Sequence, residues 1–221
     1  TKYMKITREN IAILENDTHI SRWVEESGRL DHDRYALPII LEHIQPGYTV
    51  VDAGAFIGDH TLAYCDAVGK NGDVYAFEPN PAAFECLQYN CGSAKLFNCG
   101  LSNRNEEVNY SVDNNAGASR ISLQSGNDSF CIKTITLDSL NLPALDFFKL
   151  DVEGYELNAL EGAKETISKY RPVFWIEINV GALAQHGKTA HDIENFLSQF
   201  GYDITPFPEV GEQYDILCIP Q

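Results

Sequence analysis

Positive charge is scarce in this chain. Lys and Arg number 16 against 32 Asp and Glu over 221 residues, a formal net charge of −16. Nucleic acid is held by releasing counterions onto clustered Lys and Arg; no such cluster occurs here, so a DNA or RNA partner is not expected. Long apolar runs are missing too. Nothing approaches the roughly 20 apolar residues of a membrane span, and Thr1-Lys2-Tyr3-Met4-Lys5 lacks the apolar core of a signal peptide. Thr1 stands where an initiator Met would, which suggests trimming. The expectation is a soluble, cytoplasmic protein with no membrane partner. Cys65, Cys86, Cys91, Cys99, Cys131 and Cys218 form no C-x-x-C pair, which argues against zinc and for free thiols in a reducing compartment. Repeats and low-complexity linkers are absent. One domain over 1–221 is expected, large enough to bury roughly 70% of its unfolded surface.

What is present begins with Val50-Val51-Asp52-Ala53-Gly54-Ala55-Phe56-Ile57-Gly58-Asp59. This reads as a buried strand, a glycine turn and the start of a helix. Val74-Tyr75-Ala76-Phe77-Glu78-Pro79-Asn80 then gives a second buried strand ending in an acid. Strand, glycine turn, helix, strand, acid is the layout of a nucleoside crevice, with the acid accepting hydrogen bonds from ribose hydroxyls. A dinucleotide fingerprint would need three glycines, and counting back from Gly58 the other two places hold Ala53 and Ala55. Asp52 at the strand end would repel a pyrophosphate on helix N–H groups. It suits a ligand without phosphate and with an amino group, S-adenosylmethionine (SAM).

Along the rest of the chain, residues 10–15 read as a strand, and Asp17 or Thr18 caps a helix that Gly28 ends. Residues 1–34 are read as an N-terminal lid or cap. Tyr35–Ile44, Thr61–Val68 and Pro81–Asn90 are helices, and Lys95–Cys99 is a third strand followed by Leu101 and Ser102 at the crevice edge. Residues 106–138 alternate around a polar stretch and read as a β-hairpin insertion. Phe147–Leu150 and Val173–Ile178 are strands, Glu156–Tyr170 and Ala190–Phe200 helices, and Tyr202–Thr205 with Tyr214–Ile219 an antiparallel closing pair. Alternating strands and helices imply a doubly wound α/β sheet, mostly parallel, with an antiparallel C-terminal strand.

Val50–Thr61, Val74–Pro81, Phe148-Lys149-Leu150-Asp151-Val152-Glu153-Gly154-Tyr155-Glu156 and Leu160-Glu161-Gly162-Ala163 resemble the FkbM-type SAM-dependent methyltransferases, over roughly residues 33 to 180. The resemblance implies a class I, Rossmann-like methyltransferase fold and methyl transfer mostly to hydroxyls of sugars, polyketides or other small molecules. Many members carry Asn where Phe56 stands and aromatic residues around Asp59 and His60.

Methyl transfer from a sulfonium is an in-line displacement, for which a protein supplies alignment and a base. The candidate cofactor residues are Asp52, Gly54, Ala55, Phe56, Gly58, Asp59 and Thr61 around the turn, Glu78, Pro79 and Asn80 after the second strand, Leu101 and Ser102, and Asp151. The candidate catalytic residues are Asp151, Glu153, His60 and Glu177, with Lys149 as a counter-ion to the first two. Asp151, Glu177 and Asn179 could gather around a divalent cation, yet the resemblance implies no metal, and none is expected. The acceptor is expected to be a small molecule or glycan; the oligomeric state is not readable. Two alternatives stand beside the enzyme reading. A non-catalytic SAM-binding partner would bind cofactor without turnover, and a nicotinamide-dependent oxidoreductase would bind NADH instead.

Overall fold

The computed structural model describes residues 3–111, 120–121, 129–207 and 211–221. Its core is a seven-stranded sheet. In chain order the strands are β3 (Thr49–Ala53), β4 (Asp73–Phe77), β5 (Lys95–Phe97), β10 (Phe147–Leu150), β11 (Val173–Asn179), β12 (Tyr202–Phe207) and β13 (Gln213–Pro220). Their spatial order is β12-β13-β11-β10-β3-β4-β5. Only β13 runs antiparallel to its neighbours in this sheet, β11 and β12; the remaining pairings are parallel. The order reverses between β3 and β10, which opens a crevice at the carboxyl ends of the strands. All of β3 and β10 is buried, as expected of central parallel strands covered on both faces.

The helices follow the local signals. Thr61–Val68 (α3) and Pro81–Asn90 (α4) have the expected bounds, the latter started by Pro81 and by the Asn80 side chain, which accepts from the Ala82 N–H. Ile20–Ser27 (α1) ends on left-handed Gly28, while the Asp17 carboxylate accepts from the His19 and Ser21 N–H groups. Ala36–Leu41 (α2) is shorter than its periodic pattern. Ahead of α1, β1 (Met4–Ile6) and β2 (Ala12–Leu14) pair antiparallel. Ala12, Ile13, Leu14 and Val24 pack with Phe56, Ile57, Ala83 and Cys86, so this segment lies over the glycine turn and α4. Trp23 joins that cluster and meets His32 edge to face.

Three expectations are corrected. The third strand ends at Phe97 rather than Cys99; Gly100–Leu101 is a separate strand, β6, of a second sheet. That sheet holds β7 (Glu106–Ser111), β8 (Arg120–Ile121) and β9 (Ser129–Ile135) in the order β6-β9-β7-β8, with β7 and β9 forming the expected antiparallel pair. Val112, part of the alternating pattern, lies outside the described residues. The single helix read over Glu156–Tyr170 is two, α5 (Glu156–Glu161) and α6 (Lys164–Tyr170). Gly162 sits at the break, packed so closely that a Cβ there would lie 1.9 Å from the Ser102 carbonyl oxygen. The chain turns there, and Asp138 accepts from the Glu165 and Thr166 N–H groups to start α6. A short helix after β11, α7 (Val180–Gln185), was not read from the sequence; Asn179 caps it. The last helix, α8 (Ala190–Gln199), carries a capping box from Thr189 and Asp192.

Candidate active site

The crevice is lined by Ala53, Gly54 and Phe56 from the turn after β3, and by Phe77, Glu78 and Pro79 from the end of β4. Cys99, Gly100 and Leu101 form one end. Asp151, Val152, Glu153 and Tyr155 form the other, and Tyr110 reaches in from the second sheet.

The turn is built by close approach. The Gly54 and Ala55 N–H groups both donate to the Phe77 carbonyl at 3.0 Å, tying the turn to β4. Gly54 has φ +82°, and a Cβ there would lie 1.8 Å from the Asp151 carbonyl oxygen. Only glycine lets β3 and β10 come together at this level. Phe56 also takes a left-handed backbone, φ +50°, and its N–H points at Glu78.

Glu78 is held from both sides. Its Oε2 accepts from the Phe56 N–H and its Oε1 from the Asn80 N–H, each at 2.8 Å. The side chain is buried, and burial pushes its carboxyl up to about 7 against those two N–H groups. Each oxygen keeps a lone pair, so the group can accept two further hydrogen bonds from a ligand diol.

At the other end, Glu156 organises the loop that carries Glu153. Its carboxylate accepts from the Val152 and Gly154 N–H groups. Glu153 between them is left-handed at φ +50°, a strained conformation of the kind that clusters at functional sites. Asn179 Nδ2 donates to Glu153 Oε2 at 3.4 Å. Register brings more acids to this level. Leu150 pairs with Ile176, so Asp151 and Glu177 follow side by side, and Glu177 faces Asp215 across the β11–β13 pair. Burial, then Asp151, Glu153 and Asp215, hold the Glu177 carboxyl well above the usual range; burial and Asp151 push Asp215 up to about 7. Oxygens of Asp151, Glu153 and Glu177 lie within 4.8 Å of one another, a grouping able to hold a metal ion. Asn179, the third member considered from sequence, adjoins this group through its hydrogen bond to Glu153.

Lys149 is the buried cation of the site. Its Nζ lies 3.4 Å from Asp151 Oδ2 and 3.7 Å from Asp52 Oδ1. Burial alone would depress its pKa; Asp151 and Asp52 outweigh burial and hold it well above the ordinary value. It therefore serves Asp151 as expected, but its second partner is Asp52 rather than Glu153.

The sequence candidates thus divide. Gly54, Phe56, Glu78, Pro79, Leu101, Asp151 and Glu153 line the crevice. Asp52 does not: it is fully buried, opposite Lys149 in the β3–β10 register, and accepts from Thr61 Oγ1 at 2.7 Å. Thr61 and Ala55 are likewise buried supports, and Gly58 packs against Cys91 and Leu87 of the α4 end. Asp59 lies behind the turn, its carboxyl raised by burial. Asn80 supports Glu78 and caps α4, and Ser102 is buried under Gly162. His60 is also outside the lining. Its Nε2 lies 3.2 Å from Asp33 Oδ2 and its Nδ1 shares a 2.9 Å hydrogen bond with the Tyr64 hydroxyl, so both ring nitrogens are engaged. Although burial raises Asp33, His60 and the Ala36 and Tyr35 N–H groups bring it down to about 2. Glu177 borders the acid group without lining the crevice. Sequence reasoning missed Tyr110 and Tyr155, which pack together with Ile132 and Phe130; the alternation of Val108 and Tyr110 marked an inward face but not its destination.

Comparison with known proteins agrees with this geometry. The Methyltransferase FkbM domain matches residues 52–204. A hexuronic acid methyltransferase, AglP of Haloferax volcanii, is 30% identical over 171 residues, covering 72% of this chain and 68% of that protein. The crystal structure of methyltransferase FkbM from Methylobacillus flagellatus superposes with a TM-score of 0.54 at 21% identity over 82% of this chain. The chain spans 50% of that protein's length. A precorrin-6y C5,15-methyltransferase structure from Geobacter metallireducens gives 0.51 at 14% identity, covering 84% of this chain and 86% of that one. The fold is that of the class I methyltransferases, which implies SAM as the methyl donor, and no described helix is long and apolar enough to cross a membrane. On its sequence and its fold alike, the chain belongs to the FkbM family of methyltransferases.

Proposed function

We propose that the protein transfers the methyl group of SAM to a hydroxyl of a small, carbohydrate-like acceptor. The observation that carries this reading is the Glu78 carboxylate, fixed by two backbone N–H groups at the middle of a crevice whose far end is acidic. In this reading Glu78 accepts the ribose hydroxyls, and Cys99, Gly100 and Leu101 bound the adenine. Asp151 meets the amino group of the methionine part. Strands lie roughly 4.8 Å apart, so the ends of β4, β3 and β10 step across about 10 Å, a span suited to a nucleoside joined to an amino acid.

The acceptor oxygen attacks the methyl carbon in line with the C–S bond. As the new C–O bond forms, the sulfonium leaves as neutral S-adenosylhomocysteine (SAH), and the hydroxyl proton passes to a carboxylate. Glu153 is the proposed base, because it lines the crevice beside Asp151 and is held by Asn179. His60 is disfavoured in that role by its engagement with Asp33 and Tyr64, and Glu177 by its place outside the crevice lining and by the burial and neighbouring acids that hold its proton. The named acceptor of the AglP relative supports the sugar-like class. The trio of Asp151, Glu153 and Glu177 favours a second reading, metal-assisted transfer, although Lys149 already supplies a positive charge there. The test is calorimetry with SAH in EDTA, followed by transfer from labelled SAM onto neutral, amino and acidic sugars. Absence of SAH binding would overturn the proposal, and strict dependence on a divalent cation would favour the second reading.

A further inference from the structure

Lys149 is an ammonium with almost no access to water, placed between two carboxylates of different character. Asp52 is wholly buried and outside the crevice, whereas Asp151 lines it. Lys149 and Asp52 stand opposite each other in the β3–β10 register, and Thr61 Oγ1 of α3 holds the other Asp52 oxygen. The Lys149 Nζ also donates to the Gly54 carbonyl at 3.5 Å, at the turn where β3 approaches β10 most closely. A chain of polar contacts therefore runs from the first turn of α3 through Asp52 and Lys149 to the crevice floor.

Asp151 has reason to need this. Glu177 stands beside it in register and Glu153 lies within 4.8 Å. Acidic groups packed this closely leave the Asp151 side chain without a favourable partner among them and free to turn toward solvent. An ammonium fixed beneath one carboxylate oxygen opposes that.

We infer that Lys149 is a positioning residue of the methyl-transfer site: anchored by Asp52, it fixes the Asp151 carboxylate at the end of the crevice that receives the amino-acid part of the cofactor. This rests on the SAM reading above and adds to it a residue that touches no ligand. Asp52, in this account, acts through Lys149 and not on the cofactor.

The test separates the two halves of the ligand. SAH carries nucleoside and amino acid; 5′-methylthioadenosine carries the nucleoside alone. Lys149→Met should weaken SAH by about tenfold or more, the scale of a charge-assisted contact, while 5′-methylthioadenosine stays within about twofold. That single change leaves Asp52 buried without its cation and can impair folding. Asp52→Asn combined with Lys149→Met removes both buried charges and should show the same split between ligands. Asp151→Asn should reproduce the SAH loss, and adding it to the double variant should cost nothing more, since the two act as one unit. Equal weakening of both ligands, unchanged SAH affinity, or additive losses would overturn the role of Lys149. Wild-type protein that binds neither ligand would instead sink the SAM reading itself.

Discussion

Protonation of Glu78 should control nucleoside affinity across neutral pH. In the unliganded crevice its carboxyl is raised to about 7 by burial, and its two oxygens already accept from Phe56 and Asn80. A ribose diol brings two more donors. Only the carboxylate has lone pairs for all four; a proton occupies one and turns that oxygen into a donor. With a pKa of about 7, roughly a tenth of the sites are ionised at pH 6 and roughly nine-tenths at pH 8. Affinity should therefore rise about tenfold over that interval, with a slope near one decade per pH unit below pH 7 and a plateau above. The ligand of choice is 5′-methylthioadenosine, which has the ribose but no amino-acid part to titrate. Glu78→Gln should flatten the profile, because the amide has no proton to lose. Its NH₂ would also face one of the two N–H donors. At pH 8 it should bind at least about tenfold more weakly, as expected for loss of a charged hydrogen bond of roughly 1.5–3 kcal/mol. Isothermal calorimetry at several pH values measures both effects. A pH-independent wild type, or a Gln variant with unchanged affinity, would show that Glu78 does not hold the ribose.

Three further outcomes are expected. Glu153→Gln should lower kcat by roughly 10²–10⁴, the usual cost of a lost general base, with SAH affinity within a few-fold; near-normal kcat on a found acceptor would remove Glu153 as the base. Calorimetric SAH binding should be undiminished in EDTA, since Lys149 already supplies the positive charge beside Asp151 and Glu78 is held by backbone N–H groups. Stability should fall as pH rises. Glu78 and Glu156 are each raised by burial from about 4.5 to about 7, so the folded state binds more protons between those values. The stability from each group is complete below about pH 4.5 and is lost as pH climbs through about 7, by up to about 3 kcal/mol per group. A melting temperature that rises from pH 5 to pH 8 would contradict this.

Much of the frame was legible because its causes are local. The bounds of α3 and α4 follow from a glycine turn and from Asn80-Pro81, and Glu78 was recognisable as the acid closing a buried strand. Asp52 was not assignable in the same way. Every residue of β3 is buried, so neither face is marked as solvent, and only the β3–β10 register, which sets Lys149 opposite, shows that the acid turns inward. His60 looked available because Asp33 lies 27 positions away on the path into α2. The close approach of Gly162 to the Ser102 carbonyl, 60 positions earlier, is likewise a contact that no periodicity records. Tyr110 of the second sheet and Tyr155 at the start of α5 meet at the crevice across 45 positions, a packing contact equally invisible to local pattern.

The order of strands has a consequence for synthesis. β13 is made after both β11 and β12, yet it lies between them, pairing six residues with each. Until residues 213–220 have left the ribosome, β11 presents an open edge that includes buried Phe174, Trp175 and Ile176. β12 cannot cover that edge, because its own partner is the missing strand. A nascent chain therefore carries an unpaired, apolar strand edge, the kind that recruits foreign strands, from the synthesis of β11 until that of β13. Chains stalled or truncated before β13 should be the ones that aggregate or occupy chaperones, while chains that include it close the edge by inserting a single strand.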